Sequence, residues 1–291
     1  MTTDATAGPA VLHLGVEELA TADLLYHATL GAPRLAGADR SSASWLLPPG
    51  LVISARDDRD RGTDHLEVGV DDLESVASVA QALALDVRRQ GDRLLVDDEA
   101  VGGGQLVLTP QRPVPGPTDG PPGGAVGLTR TDHVCLAVAD LPRAVELLRA
   151  AGGTPVLAGD GVVGARAVLL RFGRTKIELL APIADGPIRR FLERRGRSGV
   201  HHLTLFVADI RAAVAGLDQQ GLPWVDLDDH TRSTWHEVYL RPRATDGLMI
   251  QLAHTDQDHR AALTPEQLDD ALAGRYDVTS YTMQPKGEDR A

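Results

Sequence analysis

One short pattern occurs four times along the chain, and it constrains the fold more than any other feature of the sequence. Each copy has alternating aliphatic residues, then an acidic residue, then aliphatic residues at helical spacing. Such alternation predicts a strand with one buried face, and the acid predicts the N-cap of a following helix. The copies begin 54, 68 and 69 residues apart, at residues 11–19, 65–73, 133–141 and 202–210.

Short apolar runs follow each predicted helix and complete the repeated unit. In the third copy they are residues 167–170 and 176–180, and in the fourth copy residues 238–240 and 248–252. Each unit is therefore predicted to be a βαβββ module, and the fold class is α+β. We expect four modules, paired into two domains with curved mixed sheets.

A stretch rich in proline and glycine marks the boundary between the two halves. Residues 111–127 contain five Pro and five Gly, which is typical of a linker. The predicted organisation is a domain at 8–112, a linker at 113–127, a second domain at 128–255 and a polar tail at 256–291. The tail has one helix signal, residues 264–272, with Pro265 at the first helical position.

Composition narrows the class of protein. The 291 residues suit two domains. With 29 basic and 41 acidic residues, the net charge is −12, which argues against nucleic acid or an anionic membrane as partner. There is no membrane-spanning apolar run and no secretory signal, so we expect a cytoplasmic protein. Cys135 is the single cysteine, which excludes a disulfide framework. A homodimer stays open.

Polar residues at matching positions of the third and fourth modules predict a metal site. His133 and His202 begin the first strands, and Glu178 and Gln251 lie in the last strands, 45 and 49 residues later. Strand alternation puts all four side chains on the face opposite the helices. Two imidazoles and two oxygen donors suit one divalent ion of Fe, Co, Mn, Ni or Zn. Gln251 could instead hydrogen-bond the substrate.

The N-terminal half lacks this pattern. Val11 stands at the first position, and the candidate last strands at 51–54 and 106–108 carry no carboxylate. His65 remains, with His13 as a second histidine nearby in the pattern. We therefore expect a degenerate, metal-free domain that serves as a scaffold or lid.

Other residues are candidates for the substrate pocket. Cys135 and Thr204 lie two residues after the predicted ligands and share their face, and Tyr239 is predicted to line the pocket too. His236 and Glu237 are the candidates for a general base, and strand alternation places one of them in the pocket without selecting between them. A basic cluster either holds a substrate phosphate or carboxylate, as in CoA, or forms a solvated helix face: Arg189, Arg190, Arg194, Arg195 and Arg197.

Several motifs in the C-terminal half resemble one known superfamily. They are Asp132-His133, residues 174–182, residues 187–193, His201-His202 and residues 246–252. Over about residues 132–253 the sequence resembles methylmalonyl-CoA epimerases of the vicinal oxygen chelate superfamily, which also includes glyoxalase I and extradiol dioxygenases. The resemblance implies their fold and the metal set His133, Glu178, His202 and Gln251.

Two departures from the epimerase pattern shape the expected function. Epimerases carry Glu where this chain has Gln251, and a base Glu where it has Val162, which cannot take a proton. We therefore expect a metal-dependent isomerase, epimerase or lyase other than the standard epimerase. It would chelate neighbouring oxygens of a small carbonyl or acyl substrate and stabilise an enolate. The alternatives are an iron-dependent, extradiol-type dioxygenase, which the two-domain plan resembles, and a non-catalytic binding or resistance protein.

Overall fold

Two sheets of mixed strand orientation, with helices, make up the described part of the chain and confirm the predicted α+β class. The number of modules stays a prediction. The structure is a computed structural model that describes residues 10–37, 41–58, 62–120, 123–161, 163–229, 234–258, 261–279 and 281–287. No helix among these residues is both long and apolar enough to cross a membrane.

The N-terminal sheet has seven strands in the order β2-β3-β1-β4-β7-β6-β5. Its strands are β1 Val11–Val16, β2 Ser42–Leu47, β3 Leu51–Asp57, β4 Gly62–Val70, β5 Val87–Gln90, β6 Arg93–Val96 and β7 Leu106–Pro110. The helices are α1 Leu19–Asp23, a π-helix at Leu24–Thr29 and α2 Leu73–Ala82. Strand β1 pairs in parallel with β3 and antiparallel with β4.

The second sheet has ten strands in the order β13-β14-β15-β12-β8-β11-β10-β9-β16-β17. These are β8 Leu128–Ala137, β9 Thr154–Gly161, β10 Ala165–Phe172, β11 Thr175–Pro182, β12 Gly199–Val207, β13 Val225–Asp228, β14 His236–Leu240, β15 Met249–His254, β16 Tyr276–Thr279 and β17 Thr282–Pro285. Its helices are α3 Leu141–Ala150, α4 Pro187–Arg195, α5 Ile210–Gln219 and α6 Pro265–Leu272, with a 3₁₀ turn at Pro242–Ala244.

The acids of the repeated pattern cap three of the four helices, as predicted. The side chains of Asp72, Asp140 and Asp209 each accept a hydrogen bond from a backbone N–H in the first turn of α2, α3 and α5. Glu18, before α1, makes no such bond, so the prediction is wrong there. Glutamate is not among the preferred N-cap residues, because only a short side chain reaches these N–H groups well.

Backbone contacts group the chain into two compact units. One contains Met1–Gly69, Gln111–His133 and His202–Asp256, and the other contains Val70–Pro110, Val134–His201 and Gln257–Ala291. The domain boundaries predicted from the sequence stay predictions. In each unit one face of the central strands is fully buried, because the aliphatic residues of the alternating pattern pack there.

The polar tail packs on the second unit. Its predicted helix is confirmed as α6, which begins with a capping box between Thr264 and Gln267. The tail also adds two strands that the sequence did not predict, because they lack a regular apolar alternation. Strand β16 pairs in parallel with β9, where Asp277 lies opposite Asp160.

A partly buried carboxylate, Asp160, anchors this tail. Arg166 Nε donates to Asp160 Oδ1 at 2.6 Å, and Lys286 Nζ donates to Oδ2 at 2.6 Å. Arg166 Nη1 also donates to the carbonyl of Leu272, at the end of α6. Burial acts to raise the pKa of Asp160, but the hydrogen bonds from Arg166 and Lys286 outweigh it, so the pKa is lowered.

We expect Asp160→Asn to loosen the tail. Losing the two charge-assisted bonds should cost about 2–3 kcal/mol, measured as faster amide hydrogen exchange in α6, β16 and β17. Because the folded pKa is lowered, this stabilisation is fully present above the unfolded value of about 3.9 and is lost as the pH falls through the folded pKa. Asp277→Asn is the matched control, since Asp277 lies 3.5 Å from Lys286 and is exposed. Equal effects of the two substitutions would contradict the assignment.

Candidate metal centre

Two histidines face each other on strands β8 and β12. His133 and His202 are 3% and 7% exposed, and their Nε2 atoms lie 3.4 Å apart. The ring planes are inclined by 73° with centroids 5.5 Å apart. The strand alternation produces this pair, because the aliphatic neighbours of each histidine take the opposite face of the sheet.

A buried acid sets the orientation of the His133 ring. Asp132 is 1% exposed, and its Oδ2 accepts a hydrogen bond from His133 Nδ1 at 2.8 Å. With the proton on Nδ1, the lone pair lies on Nε2 and points towards His202, which is the tautomer that a metal ligand requires. Sequence reasoning did not assign Asp132 to the site, although an acid directly before a candidate ligand was the available signal.

Thr204 connects His133 to Gln251. The Thr204 hydroxyl lies 2.9 Å from His133 Nε2 and donates to Gln251 Oε1 at 2.6 Å. Strands β12 and β15 run in parallel with Thr204 opposite Gln251, which explains the contact. The structure therefore brings His133, Thr204 and Gln251 together. The amide oxygen of Gln251 points towards Thr204 and His133.

The amide nitrogen of Gln251 forms hydrogen bonds with two side chains on strand β14. It donates to Glu237 Oε2 at 2.5 Å and to the Tyr239 hydroxyl at 3.0 Å. Trp235 Nε1 also donates to Glu237 Oε2 at 2.5 Å, a contact that the sequence did not suggest. Glu237 and Tyr239 thus share the face of Gln251.

His236 faces the other side of β14. Its ring stacks on His254 at a centroid distance of 6.2 Å. His254 Nδ1 in turn contacts the backbone carbonyl of Val207 at 3.1 Å. Of the two candidate bases that the sequence left open, Glu237 belongs to the hydrogen-bonded network and His236 does not.

Glu178 is half-buried on β11 and contacts Cys135. Burial, with the charge of Glu178 and a hydrogen bond to it, raises the pKa of the Cys135 thiol well above its usual value. The thiol therefore stays protonated and donates to the carboxylate. Cys135 is 0% exposed. Its side chain holds Glu178 through this hydrogen bond, and a buried, protonated thiol is not suited to act as a nucleophile.

A third histidine, His201, directly precedes His202 on β12. Burial lowers the pKa of His201 to about 4, with the Arg194 charge acting in the same direction and Glu178 against it. The ring of Phe191 from α4 packs edge-on against it at 4.8 Å. His201 is therefore neutral at pH 7.

Within one compact unit, the described residues His13, His65 and Glu67 could hold a metal ion, because their ligand atoms lie within 4.8 Å of one another. Atoms that bind one ion at about 2.1 Å are at most about 4.2 Å apart, so small side-chain movements suffice. Two imidazoles and a carboxylate fit a divalent first-row ion. His133 and His202, in the same unit, supply a second pair of imidazoles.

The remaining predictions lie at the edge of the site or beyond it. Val162, which stands where epimerases carry the base Glu, lies outside the described residues. Within the basic cluster, Arg189 pairs with exposed Asp185 at 3.4 Å, whereas the Arg195 guanidinium lies 5.3 Å from the Phe191 ring centroid. Burial, and then the neighbouring charge of Arg197, lowers the pKa of Arg195. Arg189 is half-buried and the other four arginines are exposed, which fits a largely solvated helix face.

Comparison with known proteins agrees with this picture. Residues 132–239 match the family model described as Glyoxalase/Bleomycin resistance protein/Dioxygenase superfamily. The mitochondrial methylmalonyl-CoA epimerase of Homo sapiens is 30% identical over 142 residues, which cover 47% of this chain and 80% of the relative.

Two solved structures share the fold over most of the chain. A mutant of 4-hydroxymandelate synthase from Streptomyces coelicolor has a TM-score of 0.58 and 18% identity, covering 92% of this chain and 97% of its own. The Mn(II)-bound glyoxalase from Novosphingobium aromaticivorans has a TM-score of 0.59 and 12% identity, covering 90% of this chain and 89% of its own. With the identity to the epimerase, these likenesses lead to one conclusion: the chain belongs to the glyoxalase/bleomycin resistance protein/dioxygenase superfamily.

Proposed function

We propose that this chain is a metal-dependent enzyme that binds neighbouring oxygens of a small carbonyl or acyl substrate and moves a proton at the adjacent carbon. The reaction class is that of an isomerase, epimerase or lyase. The observation that carries the proposal is the His133–His202 pair, whose Nε2 atoms lie 3.4 Å apart. Asp132 holds His133 in the ligating tautomer. We assign His133, His202 and Glu178 as the protein ligands of one divalent ion of Fe, Co, Mn, Ni or Zn.

The ion would supply one kind of chemistry. Bound at this site, a divalent cation is a Lewis acid that stabilises negative charge on a substrate carbonyl oxygen as the neighbouring C–H bond breaks. The chain's own side chains must supply the proton transfer. A base must take the proton, and its carboxylate must be held in position before the substrate arrives.

Glu237 is the base in this proposal. Its Oε2 is fixed by the Gln251 amide and the Trp235 indole. The two donors hold this carboxylate oxygen in place before the substrate arrives. Fixing Oε2 leaves Oε1 as the oxygen that takes the proton from the substrate carbon. The Tyr239 hydroxyl accepts a hydrogen bond from the same Gln251 amide. In this proposal Tyr239 lines the substrate pocket.

Gln251 is assigned a positioning role that a glutamate could not fill. A second carboxylate beside Glu237 would compete with it for one proton, because like charges in contact do not both ionise readily. The amide instead donates to Glu237 through Nε2 and accepts from Thr204 through Oε1. Gln251 is therefore matched to Glu237, and metal coordination through Oε1 is an additional role that the amide allows.

We infer an acyl thioester as the substrate class, because the relatives that match the C-terminal half are named methylmalonyl-CoA epimerases. The exposed Arg195 and its neighbours supply positive charge for a phosphate-bearing carrier such as CoA. The absence of nucleic-acid and membrane partners, a homodimer and a cytoplasmic location, all taken from the sequence, stay predictions.

A dioxygenase is the second candidate, and the donor set favours it. Two histidines and one carboxylate are the ligands of non-haem Fe(II) oxygenases, which keep open positions for substrate and oxygen. Oxygen uptake by the Fe(II)-loaded protein with a catecholic substrate would support it. A non-catalytic binding protein is the third candidate, and it predicts tight ligand binding with neither oxygen uptake nor proton exchange.

Metal content tests the ligand assignment. We expect His202→Gln, and separately Glu178→Gln, to lose one equivalent of metal per chain, measured by elemental analysis after equilibration with Co²⁺. Changing a residue that hydrogen-bonds a metal ligand typically weakens metal affinity about 10–100-fold, so removing a ligand itself should cost at least about 100-fold. His254→Gln is the control, because His254 contacts the Val207 carbonyl instead. Unchanged metal content in both ligand variants would refute the site.

Proton exchange tests the base. We expect Glu237→Gln to slow the entry of solvent deuterium at C2 of a 2-methylacyl-CoA by about 10²–10⁴-fold, with little change in KM, because general-base catalysis contributes about that much. The matched control is His236→Gln, the adjacent residue on the other face of β14. Exchange that survives Glu237→Gln, or that His236→Gln abolishes equally, would contradict the assignment.

A further inference from the structure

Three potential metal ligands lie together in the N-terminal half, where the sequence predicted none. His13 lies on β1, and His65 and Glu67 lie on β4. The two strands pair antiparallel, with His13 opposite His65 and Val11 opposite Glu67. Because Leu12 and Leu66 are fully buried on the helix side, the two histidines and the glutamate share the other face.

The ligand atoms of these residues are close to one another. His13 Nε2 lies 3.7 Å from Glu67 Oε2, and the ligand atoms of all three residues lie within 4.8 Å of each other. Two donors that each bind an ion at about 2.1 Å with a tetrahedral angle are about 3.4 Å apart. The observed distance is close to that value.

The rings of His13 and His65 stack, with centroids 4.2 Å apart and planes inclined by 15°. Nearly parallel rings do not direct both lone pairs at one point, so binding requires one ring to turn about its Cβ–Cγ bond. The side chain of His13 is 27% exposed and that of His65 is 18% exposed, so each ring is partly in contact with solvent although both Nε2 atoms are buried. His13 Nε2 itself makes no hydrogen bond to the described residues.

Glu67 is 8% exposed, which sets it apart from the solvated acids of the surface. A carboxylate is expensive to bury unless charge or hydrogen bonds compensate it. In contact with two imidazoles, Glu67 supplies the negative charge that a cation site needs. An ion of calcium or magnesium type would prefer oxygen ligands alone, so two nitrogens and one carboxylate select a transition metal or zinc.

We propose that His13, His65 and Glu67 form a second divalent-cation site, one that takes an ion such as Zn²⁺, Co²⁺, Ni²⁺ or Fe²⁺. The chain then binds two ions, one in each half. The N-terminal half is in that case a metal-binding unit, which revises the metal-free scaffold expected from the sequence.

Cobalt titration of the full chain tests this second site. We expect two equivalents of Co²⁺ per wild-type chain by calorimetry, with visible ligand-field absorption from both. The variant His133→Gln/His202→Gln should retain one equivalent and its absorption. Adding Glu67→Gln or, separately, the more exposed His13→Gln should weaken that remaining equivalent at least about 100-fold. His27→Gln is the matched control in the same half, because His27 faces Asp119.

The possible results separate this site from the C-terminal one. Loss of one equivalent on His133→Gln/His202→Gln, with the second kept, supports both sites. A wild-type chain that binds one equivalent, lost entirely in that double variant, overturns the second site and leaves the proposed function intact. A remaining equivalent that is indifferent to both Glu67→Gln and His13→Gln also overturns it. Far-ultraviolet circular dichroism identifies variants that fail to fold, and His13→Gln keeps the test valid if Glu67→Gln is one of them.

Discussion

The hydrogen bond between Asp132 and His133 is the interaction on which the candidate metal centre depends. Both side chains are buried, and a buried carboxylate without a partner would cost several kcal/mol. The imidazole compensates the acid, and the acid in turn fixes the tautomer of the imidazole.

From His133 on β8, a row of polar contacts leads through β12 and β15 to a second acid on β14. Thr204 contacts His133 and Gln251, and Gln251 contacts Glu237. A neutral hydroxyl and a neutral amide therefore lie between the two acids. In the proposed function, the Gln251 amide holds the carboxylate of Glu237 in position for the substrate proton.

Strand alternation is the part of the site that could be read from the sequence, because each side chain's face depends only on its neighbours. It places His133, His202, Thr204 and Gln251 correctly relative to one another. It could not choose between His236 and Glu237, because the strand is short and starts at His236, so the phase of alternation is poorly defined. The tail strands were missed because they gain their stability from Asp160, a contact distant in sequence.

The group formed by His13, His65 and Glu67 shows the limit of comparing the repeats at one position. The first position of the four copies carries Val11, His65, His133 and His202, which suggested a single histidine in that half. His13 and Glu67 stand two residues further on, at the positions of Cys135 and Thr204, and alternation keeps them on the same face. A donor set can therefore move by two residues along a strand without leaving its face. A comparison at a single position then indicates that the site is lost, although its ligands have only moved two residues along the strand.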